Sequence, residues 1–281
     1  MKHILLPTDF SENSWNAITY AIKLFKNEKC VFHLLNTYTP VIYHVEYVLG
    51  YPAQFGLGDA VRNTSQENLK ELVERISIEF PNNPNHKFET LARFDTLISG
   101  IKEFLNKHKT HIIVMGTKGA TGAKEVLFGS NTVNVFNEIK YPVLAIPSDF
   151  EYENPLEILF PTDLEANYKD TQLSLLKEIA KSHNSRINAM HVSTGYELTE
   201  EQISKKQELE TLFKDNSYLF HDLRSMNVDE AINEFQIKTK TNMLVMINNK
   251  HSFFENLFFQ SKVKQIGFHL HIPFLVIPSA H

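Results

Sequence analysis

The sequence predicts an α/β protein: two tandem doubly wound domains, each a five-stranded parallel sheet with helices on both faces, Rossmann-like in layout. Three observations predict it. Short apolar, β-rich runs alternate with helical patterns, as parallel strands joined by crossover helices do. The alternation occurs twice, with matching landmarks. The chain of 281 residues, at roughly 150 residues per domain, has room for two such cores.

The landmarks set the elements in order. Ile4-Leu5-Leu6-Pro7-Thr8-Asp9 recurs as Ile158-Leu159-Phe160-Pro161-Thr162-Asp163, each an apolar run that ends in Pro-Thr-Asp before a helical pattern. Val143-Leu144-Ala145-Ile146-Pro147-Ser148 recurs as Phe274-Leu275-Val276-Ile277-Pro278-Ser279, and Ile113-Val114-Met115 as Leu244-Val245-Met246. The spacing predicts domains over 1–150 and 151–281. In the first, strands read at 4–7, 31–36, 88–92, 112–116 and 143–147, with helices at 14–27, 59–80, 95–109 and 131–139. In the second, strands read at 157–161, 187–192, 218–223, 243–247 and 274–278. The offset is 154 at the first landmark and 131 at the other two, so the second copy is 23 residues shorter between them. The missing piece is most simply 38–58, rich in Tyr, Val, Gly and Pro, which reads as a long irregular insertion.

Composition narrows the function classes. The chain has 28 Lys+Arg against 33 Asp+Glu, with 42% hydrophobic and 22% charged residues, ordinary for a globular protein. Residues 1–150 carry 15 basic and 15 acidic side chains, and the rest carry 13 and 18. Neither half has the basic excess of a nonspecific nucleic-acid binder, and only five of the basic residues are Arg. One cysteine, Cys30, excludes a disulfide framework and a four-cysteine zinc site, and fits a reducing compartment. No run of about 18 apolar residues is present, and Asp9 arrives too early for a signal peptide's apolar core. The expectation is a cytoplasmic protein without membrane or nucleic-acid partners.

In doubly wound sheets ligands bind at the carboxyl ends of the strands, so chemistry is expected at Thr8-Asp9, at Thr37 and from Gly116 onward. Four of the ten glycines fall within fourteen residues, in Gly116-Thr117-Lys118-Gly119-Ala120-Thr121-Gly122 and Gly129-Ser130-Asn131-Thr132. A strand, a glycine loop and a helix start together make an anion site: glycine lets backbone approach a ligand, and the bare N–H groups at the helix start face the anion. Ser130 or Thr132 can add a hydroxyl donor, and Lys118 a point charge. The pattern Gly-x2-Gly-x9-Gly-Ser is neither the P-loop nor the dinucleotide Gly-x-Gly-x-x-Gly.

That pattern resembles the nucleotide loop of the universal stress protein family at every fixed position. Pro7-Thr8-Asp9-Phe10-Ser11 resembles that family's first strand and loop, and Ile113-Val114-Met115-Gly116 and Pro142-Val143-Leu144 resemble its fourth and fifth strands. The whole chain looks like a tandem member. The resemblance implies binding of an adenine nucleotide, ATP or AMP, often with a divalent cation such as magnesium, in a stress-response sensor or regulator. It places Pro7, Thr8 and Asp9 on the adenine and ribose side and Thr37 beside the base. Met115, Gly116, Gly119, Gly129, Ser130, Asn131 and Thr132 then surround ribose and phosphates. It also implies that the fifth strands, 143–147 and 274–278, pair between domains, covering their edges; a homodimer is left open. Arg93-Phe94-Asp95 stands where the family often has a Gly-x-Pro turn, and the insertion is a second departure.

The second copy has lost the loop. Ile247 aligns with Gly116, Lys250 with Gly119 and Gln260 with Gly129, and only Ser261 keeps its type, opposite Ser130. Ile and Gln are expected to be unable to adopt the positive-φ geometry open to glycine. Phe253, Phe254, Phe258 and Phe259 stand where a phosphate loop would be, so this domain is expected to pair or regulate rather than bind. The thirteen histidines, His269-x-His271 included, give no dedicated zinc spacing, and no Gly-x-Ser-x-Gly elbow is present. No catalytic residue is assigned. A slow ATP hydrolase and a non-binding scaffold are the alternatives.

Overall fold

A computed structural model of the chain describes residues 1–39, 57–81, 83–117, 129–193, 197–224, 227–248 and 271–279. Most of the 38–58 insertion, Lys118, Gly119, Gly122 and the four phenylalanines between 253 and 259 lie outside the described residues. Contacts group the chain into two units. One holds the residues up to Thr117 together with Gly129–Ile139, and the other runs from Lys140 onward.

The first unit contains β1 (Lys2–Pro7), α1 (Glu12–Leu24), β2 (Cys30–Tyr38), α2 (Leu57–Glu79), β3 (His86–Phe94), α3 (Leu97–Lys107), β4 (Ile112–Gly116) and α4 (Ser130–Glu138). Its strands lie in the order β3-β2-β1-β4, and all the pairs are parallel. Parallel strands need crossovers, and the helices supply them. Ile4, Leu5, Leu6, Phe32, Ile112 and Ile113 are fully buried, which explains why these strands read as continuous apolar runs rather than alternating ones. Cys30 lies inside this core, and burial pushes its thiol up to about 12.

The second unit contains β5 (Val143–Ile146), β6 (Glu157–Pro161), α5 (Asp170–His183), β7 (Arg186–Ser193), α6 (Glu200–Leu212), β8 (Ser217–Arg224), α7 (Val228–Thr239), β9 (Met243–Asn248) and β10 (Phe274–Pro278). The order β8-β7-β6-β9-β10 repeats the third-second-first-fourth order of the first unit and adds the fifth strand. These pairs are parallel. β5 runs antiparallel to β10, with Leu144 opposite Leu275. By contacts, then, the fifth strand of the first sequence repeat belongs to the second unit. Among the described residues no helix is long and apolar enough to cross a membrane.

Candidate functional site

The site begins where β1 stops. Pro7 ends the strand, and the Thr8 N–H donates to the Leu35 carbonyl at 2.9 Å, holding the exit from β1 against β2. The chain then turns through Phe10, whose φ of 63° is left-handed. Two side chains hold this costly geometry. The Phe10 N–H donates to Thr8 Oγ1 at 3.0 Å, and the Ser11 N–H donates to Asp9 Oδ1 at 3.1 Å. Ser11 caps α1 by accepting from the Ser14 N–H. The Ser14 hydroxyl gives its proton to the Ser11 carbonyl at 2.8 Å. Thr8 must therefore be the donor in the 3.0 Å contact between Thr8 Oγ1 and Ser14 Oγ.

Three further elements close around this turn. Thr37 stands near the end of β2, packed so tightly against α3 that a Cβ on Gly100 would come within 2.7 Å of its methyl carbon. Gly116 ends β4 beside the side chain of Asn13, and a Cβ there would sit 2.2 Å from Nδ2. α4 starts at Ser130 with Gly129 as its N-cap. Gly129 brings no side chain to satisfy the first N–H groups, and the first intrahelical bond is Val133 N–H to the Gly129 carbonyl. The N–H groups of Ser130, Asn131 and Thr132 therefore precede the helix's own bonding, at its positive end. Buried Thr132 ties the helix back to the sheet, its hydroxyl donating to the Gly116 carbonyl at 3.0 Å and the Thr117 carbonyl at 3.3 Å. Of the two hydroxyls read as phosphate donors, that of Thr132 is thus spent as a strap.

A cavity of about 140 Å³ opens between these pieces. It is lined by Pro7, Thr8, Asp9, Thr37, Met115, Gly116, Asn131 and Thr132, all singled out from the sequence, and by two residues that were not, Ser14 and Leu97. Gly129 and Ser130 lie just beyond the lining, at the start of α4. Lys118 and Gly119 lie outside the described residues. Leu97 opens α3, straight after the Asp95-Thr96 exit from β3. Ser14 carried one readable signal: the repeat sets it against Tyr168.

The glycines are needed for a different reason from the one expected. Gly129 has φ −61° and ψ 154°, an extended conformation open to any residue. At Gly116 the requirement is space against Asn13, not a left-handed backbone. Among the described residues no group of three or more His, Cys, Asp or Glu side chains is placed to hold a metal ion.

The corresponding region of the second unit keeps the turn and changes the side chains around it. Leu164 takes φ 61°, its N–H donates to Thr162 Oγ1 at 3.1 Å, and the Glu165 N–H donates to Asp163 Oδ1 at 3.0 Å. Where Ser14 stands, Tyr168 is buried and bonded through its phenol to the Thr162 hydroxyl. Val192 replaces Thr37 in register, and Ile247 replaces Gly116; both are buried.

The first unit is therefore an α/β module whose small polar residues leave a hollow at the carboxyl ends of β1, β2 and β4, next to an uncapped helix start. The model of the universal stress protein family matches residues 1–147, and the chain belongs to that family. A universal stress protein of Methanocaldococcus jannaschii, MJ0531, is 30% identical over 148 residues, covering 52% of this chain and 81% of the relative. In fold, the chain is similar to a universal stress protein from Archaeoglobus fulgidus (TM-score 0.71, 19% identity, covering 99% of this chain and 98% of the other). It is also similar to a putative universal stress protein from Pseudomonas aeruginosa (TM-score 0.60, 12% identity, covering 99% and 94%).

Proposed function

We propose that the chain binds one adenine nucleotide, ATP or AMP, in a domain over 1–150 and works as a cytoplasmic stress-response sensor or regulator. The observation that carries this reading is the hollow beside α4, where three backbone N–H groups at a helix start stand without a capping side chain. The likeness of the glycine loop to that of the family supports the ligand class. In this reading Thr37 lies by the base and Thr8 and Asp9 by the sugar. The phosphates then face Ser130–Thr132 and the loop with Lys118 and Gly119. The domain over 151–281 acts as pairing or regulatory partner, with the fifth strands as the pairing element. Its buried Tyr168, Val192 and Ile247 support this second role, because they set larger or apolar side chains where Ser14, Thr37 and Gly116 line the hollow of the first unit.

Calorimetric titration of nucleotide-stripped protein with ATP and magnesium, and separately with AMP, tests this. The expected stoichiometry is one per chain. Two sites would overturn the reading of the second copy, and none would move the protein to the scaffold class. Gly129→Gln, which imports the residue of the second copy, is expected to abolish binding. Its backbone stays unstrained, so the effect comes from a side chain placed over the N–H groups. Unchanged binding would mean that the phosphates lie elsewhere.

A further inference from the structure

Helix α2 carries an anomaly in its buried stripe. Positions 65, 69, 72 and 76 face inward, at 4%, 2%, 9% and 1% exposure, the spacing of one helical face. Leu69, Leu72 and Ile76 are apolar; Ser65 is not. Other hydroxyls on this helix turn back to their own backbone: Thr64 donates to the Ala60 carbonyl and Ser77 to the Val73 carbonyl. Ser65 instead donates across to Asn36 Oδ1 at 2.7 Å. A buried hydroxyl in a helical core position contributes nothing that Ala would not, unless its bond matters.

That bond fixes which way the Asn36 amide faces. Ser65 gives its proton to Oδ1, so Nδ2 is held towards the Thr8 carbonyl, to which it donates at 2.8 Å. Thr8 in turn holds the left-handed Phe10 and contacts Ser14. One buried chain of hydrogen bonds therefore runs from α2 through β2 to the turn that lines the hollow. The second unit holds the same carbonyl differently. His191 Nδ1 lies 3.0 Å from the Thr162 carbonyl, at the register position of Asn36. An imidazole N–H can serve there without an amide to orient.

We propose that Asn36 and Ser65 are positioning residues for the nucleotide turn, and that through Ser65 the affinity of the pocket follows the placement of α2. This rests on the nucleotide reading above.

The test uses full-length protein. Ser65→Ala is expected to weaken ATP binding about fivefold, the worth of one neutral hydrogen bond. It should lower the unfolding midpoint only modestly, because Asn36 Oδ1 loses its donor while Ala suits a helix interior. Amide exchange at Phe10 and Ser11 in the nucleotide-free protein should quicken. Adding Asn36→His to Ser65→Ala, which imports the His191 arrangement, should restore both readouts. Ordinary affinity and exchange in Ser65→Ala would overturn the proposal. So would a loss that tracks falling stability and is not rescued by Asn36→His. If the wild-type chain binds no nucleotide, the functional reading falls. The exchange comparison in the free protein still decides whether Ser65 and Asn36 order the turn.

Discussion

The stretches Thr8–Ser14 and Thr162–Tyr168 share a turn and differ in what surrounds it. Both pass through a left-handed residue two after the Pro-Thr junction, and both bond a Thr oxygen and an Asp oxygen to N–H groups two residues on. A Pro-Thr-Asp run therefore marks a way of leaving a strand, not a ligand. What separates the stretches is side-chain size at two positions and polarity at a third. Ser14 and Gly116 are small where Tyr168 and Ile247 are large, and Thr37 has the nearly isosteric but apolar Val192 in its place. The helices respond as well. α1 begins at Glu12, whereas α5 begins at Asp170, four residues later than the repeat would place it. In the first unit Asn13 sits in that opening turn and fills the space beside Gly116. In the second, Asn167 lies before the helix and accepts a hydrogen bond from Lys205 at 2.9 Å. Ile247 needs the room that an Asn13-like side chain would occupy, and the late helix start provides it.

The strongest way to break this contrast is to move the tyrosine. Ser14→Tyr places a phenol in a hollow of about 140 Å³, next to the Thr8 hydroxyl, where Tyr168 stands in the second unit. ATP affinity measured by calorimetry should drop by roughly 100-fold or more, because an overfilled pocket offers no room for a ligand. The same ΔH and affinity as the unaltered chain would show that nucleotide does not occupy this hollow. The reverse change, Tyr168→Ser, removes a fully packed ring and should cost about 3 kcal/mol in urea unfolding.

Next in size is the contact between Gly116 and Asn13. Gly116→Ala should destabilise the first unit by about 1–2 kcal/mol and weaken nucleotide binding, since the added carbon displaces the amide from α1's opening turn. In an Asn13→Ala background the same change should cost much less, a coupling of about 1 kcal/mol. Equal costs in the two backgrounds would mean that the crowding at Gly116 involves some other group.

Much of this was legible in the sequence because it rests on local signals. Continuous apolar runs marked buried parallel strands, and the strand over 112–116 was read with the bounds that the structure shows. The recurrence of Pro-Thr-Asp located the turn in both copies. Gly116 was correctly singled out, but the argument from backbone freedom missed the real demand, a neighbour at 2.2 Å that lies a hundred residues earlier in the chain. Ser14 and Leu97 were missed because each belongs to a helix start, where the local sequence reads only as a cap or a first turn. The late start of α5 has no readable stop: Lys169 caps it without any side-chain bond. Nor does an apolar run reveal direction, so the antiparallel meeting of β5 and β10 lay beyond periodicity.

The smallest predicted effect concerns acid. In the first unit His33 is buried, with His3 Nδ1 at 2.9 Å from β1, the Glu89 carboxylate at 3.2 Å from β3, and Phe104 and His108 against it from α3. Burial pushes its pKa down; Glu89 opposes this, while His3 and His108 add to it. His86 is also pushed down by burial, against the pull of the Phe25 carbonyl. In the second unit burial lowers His221, helped by Arg186 and opposed by Glu157. A histidine whose folded pKa is depressed binds its proton more readily in the unfolded chain. Stability is therefore full above the ordinary value of about 6.5 and is lost as the pH falls below it. With two such rings, one of them fully buried, the first unit should weaken more than the second between pH 7.5 and 5.5. Trp15, the only tryptophan, reports that unit by fluorescence, and amide exchange over Met243–Asn248 reports the other. The Trp15 midpoint in urea should fall at the lower pH, and His33→Leu should remove part of the fall. A Trp15 midpoint that holds steady while exchange in β9 accelerates would reverse the ranking, and would place the acid-sensitive core in the second unit.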